Sequence, residues 1–251
     1  MVVFLTGASS GIGEALAREY ASRGATLGLV ARRADLLGSL RQSLPVEAQT
    51  YAADVRDLGA LKAAAADFIS RHGVPDLVIA NAGVSHGTLT EHADDIDVFR
   101  EILDINVLGM VNTFHPFVAP LREAGRGTLA GVASVAGYRG LPGVGAYSAS
   151  KAAAIRYLES LRVEMRGTGV RVATICPGYI DTPMTGKNPY PMPFIIPADD
   201  FARRFAKALD AGKDYAVIPW QMAIVAKLLA VMPNALFDAA FSRAGRKPRR
   251  T

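Results

Sequence analysis

Cys176 and Trp220 are the single cysteine and the single tryptophan in 251 residues. One thiol cannot close an internal disulfide, which excludes a disulfide-stapled scaffold and fits a reducing compartment. Cys176 ends the apolar run 170–176, where a thiol serves as a small buried hydrophobe. Charge is also sparse, with 20% Asp, Glu, Lys and Arg against 50% hydrophobic residues, and there is no low-complexity block or internal repeat. That balance excludes a disordered chain and predicts one globular domain over 1–251. The first residues, Met1-Val2-Val3-Phe4-Leu5-Thr6-Gly7, lack the basic flank and small-residue cleavage site of a secretory signal, so the cytoplasm is the expected location. The apolar stretch 216–241 is broken by Pro219, Lys227, Pro233 and Asp238, short of the roughly 18 uninterrupted apolar residues of a membrane span. The net charge of +5 is concentrated in Arg243, Arg246, Lys247, Arg249 and Arg250, with no acid after them. Without that tail the body is neutral, which argues against nucleic acid as a partner. The tail itself reads as a solvated end with a minor attraction to anionic surfaces.

What is present is alternation. Apolar runs of strand length at 2–6, 26–31, 48–53, 77–80, 127–134, 171–176 and 215–218 are separated by segments of 3.6-residue periodicity. The helical segments are 12–22, 34–44, 58–71, 95–104, 107–123 and 147–166, with Gly or Pro near several ends. Strands apolar on both faces, alternating with helices, predict a doubly wound, seven-stranded parallel sheet of Rossmann type, covered by helices on both sides. Ligands of such a sheet bind beyond the carboxyl ends of the strands.

The loop after the first strand is Thr6-Gly7-Ala8-Ser9-Ser10-Gly11-Ile12-Gly13, and a helix follows. Its glycines permit a sharp turn and a close approach of pyrophosphate to the free N–H groups at the helix start. The strand–turn–helix context marks a dinucleotide site over Gly7, Ser9, Ser10, Gly11, Ile12 and Gly13. Where an NAD enzyme usually presents a carboxylate to the adenosine ribose, this chain has Ala31-Arg32-Arg33. Two guanidiniums suit a ribose bearing a 2′-phosphate, so NADP(H) is expected over NAD(H), with Arg32 mattering more than Arg33. Asp54, followed by Val55, is placed either to bind the adenine amino group or to cap the next helix.

Tyr147 and Lys151 stand four residues apart in Ala146-Tyr147-Ser148-Ala149-Ser150-Lys151, a spacing that puts phenol and ammonium on one helix face. A free phenol titrates near pH 10, and a cation within about 4 to 6 Å lowers that value, which is what an acid–base tyrosine needs. Ser134, at the end of the fifth strand, is placed to hydrogen-bond a substrate oxygen. With the glycine loop, Asn81-Ala82-Gly83 after the fourth strand, and Asn106 in Asp104-Ile105-Asn106-Val107, the chain resembles the short-chain dehydrogenase/reductase family over about 2–185.

The resemblance implies an oxidoreductase that interconverts a carbonyl and a secondary alcohol, mainly by reduction. It implies Tyr147 as acid and base, Ser134 on the reacting oxygen, and Lys151 lowering the tyrosine pKa and holding the nicotinamide ribose. Asn106 would maintain a helix irregularity and a proton-relaying water. Asn81, Ala82 and Gly83 would stabilise the sheet beside the cofactor, and Pro177, Gly178 and Thr182 would meet its nicotinamide end. No metal is implied. A homodimer or homotetramer is implied, joined through the helices that start near Val107 and Tyr147. An NAD-dependent alcohol dehydrogenase and a non-enzymatic dinucleotide-binding scaffold are the alternatives.

Beyond the shared motifs, the segment 181–197 combines five prolines with Met184, Tyr190, Met192, Phe194, Ile195 and Ile196. It has the position of a mobile substrate loop, and its side chains suit an apolar, medium-sized carbonyl or alcohol; packing against a partner subunit is the alternative. Arg139 is placed either for a substrate anion or for a surface salt bridge. His86 has no part in a tyrosine mechanism. The segment 219–243 predicts two short helices that close the pocket, join subunits or rest weakly on a membrane surface, in that order.

Overall fold

The computed structural model describes residues 1–186 and 188–250. Seven strands form one parallel sheet: β1 (Val2–Thr6), β2 (Thr26–Ala31), β3 (Ala48–Ala52), β4 (Leu77–Ala80), β5 (Thr128–Val132), β6 (Arg171–Pro177) and, after a minor pair β7 (Ile180–Asp181) and β8 (Ile196–Pro197), the edge strand β9 (Tyr215–Ile218). The order is β3-β2-β1-β4-β5-β6-β9, so the winding reverses between β1 and β4. There β1 pairs on one side with β2 (Val3 to Leu27) and on the other with β4 (Val3 to Leu77). Neighbouring crossovers leave this point in opposite directions, which opens a crevice at the carboxyl ends of β1 and β4.

Strand alternation divides the core. Val3 and Leu5 of β1 face one layer, built from α1 (Gly11–Ser22), α2 (Ala34–Ser43) and α7 (Ala198–Asp210) through Leu16, Tyr20, Leu37, Phe201 and Phe205. Phe4 faces the other, built from α3 (Leu58–His72), α5 (Gly109–Ala124) and α6 (Gly145–Glu164) through Phe68, Phe114, Phe117 and Leu158. The sheet is thus buried on both faces, as its unbroken apolar strands require.

Several boundaries move for identifiable reasons. β5 stops at Val132 rather than at residue 134, because the Ser134 side chain turns back to accept the Ala136 N–H at 3.1 Å and starts a short 3₁₀ turn, Val135–Gly137. The helices expected at 95–104 and 107–123 are α4 (Asp95–Leu103) and α5, joined without a break through a π-turn, Asp104–Leu108. The run Asp95–Ala124 has the length and apolarity of a membrane span, yet Ile102, Phe114, Phe117 and Leu121 are fully buried inside the protein, as in a core helix. α7 was not anticipated, although Phe201, Phe205 and Leu209 repeat at a four-residue spacing. The two C-terminal helices are α8 (Trp220–Val231) and α9 (Asn234–Phe241), bent by 118°.

The basic tail is not the solvated end its composition suggests. Arg249 Nε donates to Asp95 Oδ2 at 2.8 Å, Arg250 pairs with Glu101, and Lys247 is buried. Two carboxylates on α4 and its N-terminus attract charges that composition alone left in solvent.

Phe4 lies between Phe68 and Phe117, with ring centroids 5.4 and 4.7 Å away. Phe4→Ala should cost about 3–5 kcal/mol, read as a lower urea midpoint at unchanged m-value.

Candidate active site

The cleft at the strand-order reversal begins with the turn after β1. Gly7 and Gly11 adopt left-handed φ values of 71° and 58°, which L side chains resist. Gly13 is held for a different reason: a Cβ there would stand 2.0 Å from the Gly7 carbonyl oxygen, so only glycine lets α1 start this close to the loop. The Ser10 side chain leaves the first N–H groups of α1 uncapped and facing the cleft. The Asn81 Nδ2 donates to the carbonyls of Thr6 and Gly7 at 3.1 and 3.3 Å, fastening the end of β4 to the start of the loop. This cradle fits the pyrophosphate of a dinucleotide.

At the end of β2, Arg33 Nη2 donates to Ser9 Oγ at 3.0 Å and Ser10 Oγ at 2.8 Å. Arg32 is exposed, and its guanidinium stands 4.0 Å from Asp54. In the structure Arg33, rather than Arg32, is gathered onto the glycine loop. Asp54 is occupied by Arg56, whose Nε and Nη2 reach both carboxylate oxygens, and these bonds hold its pKa below the usual carboxylate value. Asp57, not Asp54, caps α3, through the Ala60 N–H at 3.0 Å.

On the opposite wall, the π-turn rotates Asn106 into the interior, where it is 1% exposed. Its Oδ1 accepts the Val84 N–H at 2.8 Å, while its Nδ2 donates to Val84 O at 3.0 Å and Ser150 Oγ at 2.9 Å. One amide therefore ties the loop after β4 to α6. Tyr147 and Lys151 lie on the same face of α6, with Nζ 5.8 Å from the phenol ring centroid. Lys151 donates to Val132 O at 2.9 Å, at the end of β5, beside Ser134.

The electrostatics differ from the sequence expectation. Burial pushes the Lys151 ammonium down to about 8. Burial also pushes the Tyr147 phenol up, against the hydrogen bond from Ser134 that lowers it. Burial is the dominant influence on the phenol, while the lysine head group donates to a carbonyl in the same dry surroundings. A phenol that holds its proton beside an amine that readily loses one is suited to delivering a proton to an acceptor in the cleft.

The cleft encloses ≈ 260 Å³. Gly7, Ser9, Ser10, Gly11, Ile12, Gly13, Arg32, Arg33, Asp54, Val55, Asn81, Ala82, Gly83, Ser134, Tyr147, Lys151, Pro177, Gly178 and Thr182 all line it. Asn106 alone of the expected residues stands behind the wall. Met184, expected in the substrate loop, lines it too, and so do Val84, Ile105, Ile180 and Thr185, which the sequence did not single out. For Thr185 a signal existed: Thr182-Pro183-Met184-Thr185 is a hydroxyl turn in which Thr185 Oγ1 accepts the Thr182 N–H at 3.1 Å. Arg139 fulfils neither of its expected roles. It donates to the carbonyls of Leu229 and Met232 and to Asn234 Oδ1, and stacks 4.4 Å from the Phe237 ring, fixing the α8–α9 corner.

Comparison with known proteins agrees with this geometry. A family-wide sequence profile described as short chain dehydrogenase matches residues 1–191. An uncharacterized oxidoreductase of Myxococcus xanthus is 40% identical over 242 residues, covering 95% of each chain. The 11-beta-hydroxysteroid dehydrogenase-like 4A of Arabidopsis thaliana is 34% identical over 248 residues, 94% of this chain and 82% of that one. The crystal structure of a short chain dehydrogenase from Burkholderia cenocepacia in complex with NADP has a TM-score of 0.82 at 28% identity, covering 96% of both chains.

The buried lysine has a consequence for stability. The unfolded chain keeps its lysine proton up to about pH 10.4, whereas the folded chain releases it near 8. The penalty is therefore complete below pH 8 and is relieved as pH rises through that window. Lys151→Met should be more stable than the parent at pH 7, by on the order of 3 kcal/mol. The gap should narrow between pH 8 and 10 in urea titrations.

Proposed function

Since the chain belongs to the short-chain dehydrogenase/reductase family, as a dinucleotide-binding oxidoreductase, we propose that it reduces a carbonyl on an apolar, medium-sized substrate to a secondary alcohol at the expense of NADPH. The observation that carries the reading is the convergence of Ser134, Tyr147 and Lys151 at the open end of a cleft whose other end is a phosphate cradle. When bound, the dinucleotide supplies the hydride. The chain supplies the rest. The Ser134 hydroxyl hydrogen-bonds the carbonyl oxygen, and Tyr147 donates its proton to that oxygen as negative charge develops. Lys151, with a pKa of about 8, is poised to return a proton to the tyrosinate. Asn106 holds Val84 and α6 in register, so that the three groups keep their spacing.

NADP(H) is supported by the absence of a carboxylate at the end of β2 and by the position of Arg33. A 2′-phosphate would replace the serine hydroxyls as the partner of that guanidinium, and Arg32 would close from the other side. The Arabidopsis relative's name refers to a hydroxysteroid, which agrees with an apolar substrate under Met184 and the 181–197 loop. In the proposed assembly, a cytoplasmic homodimer or homotetramer, exposed Leu108 and Val163 are the apolar contacts that the α5 and α6 faces offer.

Tyr147→Phe should lower kcat with NADPH and an apolar ketone or aldehyde by at least about 100-fold while NADPH still binds; near-normal turnover would rule out the tyrosine as acid. Arg33→Ala should weaken NADPH about tenfold or more and NADH much less, in fluorescence titrations, with Arg32→Ala showing the smaller selective loss. Equal losses for both cofactors would remove the phosphate role.

A further inference from the structure

Past α9 the chain doubles back and touches three segments around the substrate end of the cleft. Gly245 faces Tyr190 of the 181–197 loop, where an added Cβ would meet the tyrosine Cβ at 3.5 Å. Arg246 packs on Gly143, and an added Cβ there would stand 2.9 Å from the Arg246 Cβ. Lys247, 8% exposed, donates from Nζ to Ser85 Oγ at 3.0 Å. The Gly87 N–H donates to Pro248 O at 3.0 Å, and Gly87 and Arg249 form a parallel bridge. Arg249 closes on Asp95, whose 3% exposed carboxylate also accepts the Leu89 N–H at 2.7 Å.

Each segment is one step from the chemistry. Ser85 follows Val84, whose N–H and carbonyl are both held by Asn106. Gly143 lies four residues before Tyr147, and its carbonyl accepts the Thr88 N–H at 3.0 Å, so the two loops form one unit. Tyr190 is near enough to Tyr147 that the Tyr147 phenol opposes its ionisation, a smaller effect than the burial that pushes Tyr190 up to about 12. The tail therefore reaches three loops on the substrate side of the cleft.

We propose that residues 243–250 are a strap that sets the spacing of the substrate-side loops 85–89, 141–144 and 189–190, and so the affinity for the carbonyl substrate, with Arg249 on Asp95 as its anchor. Arg249 and Asp95 are positioning residues. The effect on substrate affinity rests on the reductase reading above; the effect on the loops does not.

Gly87 offers a way to displace the strap without altering it. Its φ lies outside the left-handed region, so alanine suits the backbone, yet the new Cβ would stand 2.2 Å from the Lys247 carbonyl oxygen. Three variants make the test: Gly87→Ala, a chain ending at Ser242, and Arg249→Ala with Arg249→Lys as its rescue. In hydrogen exchange, amides at 85–89 and 141–144 should lose about tenfold or more of their protection while those at 7–13 are unchanged. With a ketone or aldehyde that the parent reduces, KM should rise about tenfold or more, with kcat falling less and the NADPH Kd unaltered. Lysine at 249 should recover most of both losses. Parental exchange and KM in a folded truncation, or in Gly87→Ala, would overturn the proposal. So would a parallel loss of NADPH affinity and thermal stability, the signature of a merely structural tail. If the parent reduces no carbonyl, the reductase reading fails and the exchange result still decides the strap; should the truncation not fold, Gly87→Ala and Arg249→Ala carry both arms.

Discussion

The fastening of β1 to β4 at their carboxyl ends is the constraint on which the rest of the molecule depends. Winding reverses there, so no crossover covers the gap, and a crevice is unavoidable. Its width is set by a few hydrogen bonds. Thr6 Oγ1 donates to Ile79 O and accepts the Asn81 N–H, while the Asn81 side chain holds the carbonyls of Thr6 and Gly7. With these strand ends fixed, the glycine turn has one path, α1 begins close to the sheet, and its free N–H groups point where an anion can lie. Asn106 repeats the device on the other wall, joining the loop after β4 to α6. Two asparagines thus place the cradle and the proton donor on one rigid frame.

That frame accepts an electrostatic penalty at its centre. Lys151 is 4% exposed and, among the described residues, has no carboxylate partner; its head group donates to a carbonyl oxygen. Tyr147 is driven the other way by the same dryness. Burial brings the two pKa values toward opposite sides of their ordinary order, with the ammonium now the stronger acid by a clear margin. Such a pair favours a neutral phenol flanked by a proton source, the ground state that the proposed reduction calls for. Behind it Cys176, its thiol pushed up to about 11 by burial, packs 3.3 Å from the Tyr215 hydroxyl and stays inert.

The sequence made the sheet, its winding and nearly all of the cleft lining readable, because those features are written in local code. Strand runs apolar on both faces specify burial, Gly7, Gly11 and Gly13 specify a turn, and a four-residue spacing specifies a shared helix face. What escaped was decided by distant partners. Arg33 and Arg32 are neighbours with identical chemistry, and only the fold shows that Ser9 and Ser10 gather the first while Asp54 faces the second. Arg139 read as a site cation because its targets, the carbonyls of Leu229 and Met232, lie 90 and 93 residues away. The tail read as solvated because its partners on α4, Asp95 and Glu101, lie 154 and 149 residues away. α7 is a different case, because its signal, Phe201, Phe205 and Leu209 at a four-residue spacing, is local rather than distant.

The division of labour along the chain follows from the same geometry. The glycine loop, Arg33 and Asn81 of the cradle all come before β5, whereas Ser134, Tyr147 and Lys151 follow it. Beyond the sheet strands β6 and β9, the second half is also tied together by contacts between distant segments. Met222 of α8 fills the space beside Gly178, where any Cβ would come within 2.6 Å of its Cγ, so the residues at the nicotinamide end rest on a C-terminal helix. Arg139 locks that helix to the loop between Ser134 and Tyr147. A shift in α8 or α9 would therefore move the groups that meet the substrate while leaving the glycine turn where Asn81 holds it. The exposed apolar residues Trp220, Ile224, Leu228 and Val231 lie on this same α8. This helix is therefore mechanically connected to Gly178 and, through Arg139, to the loop between Ser134 and Tyr147.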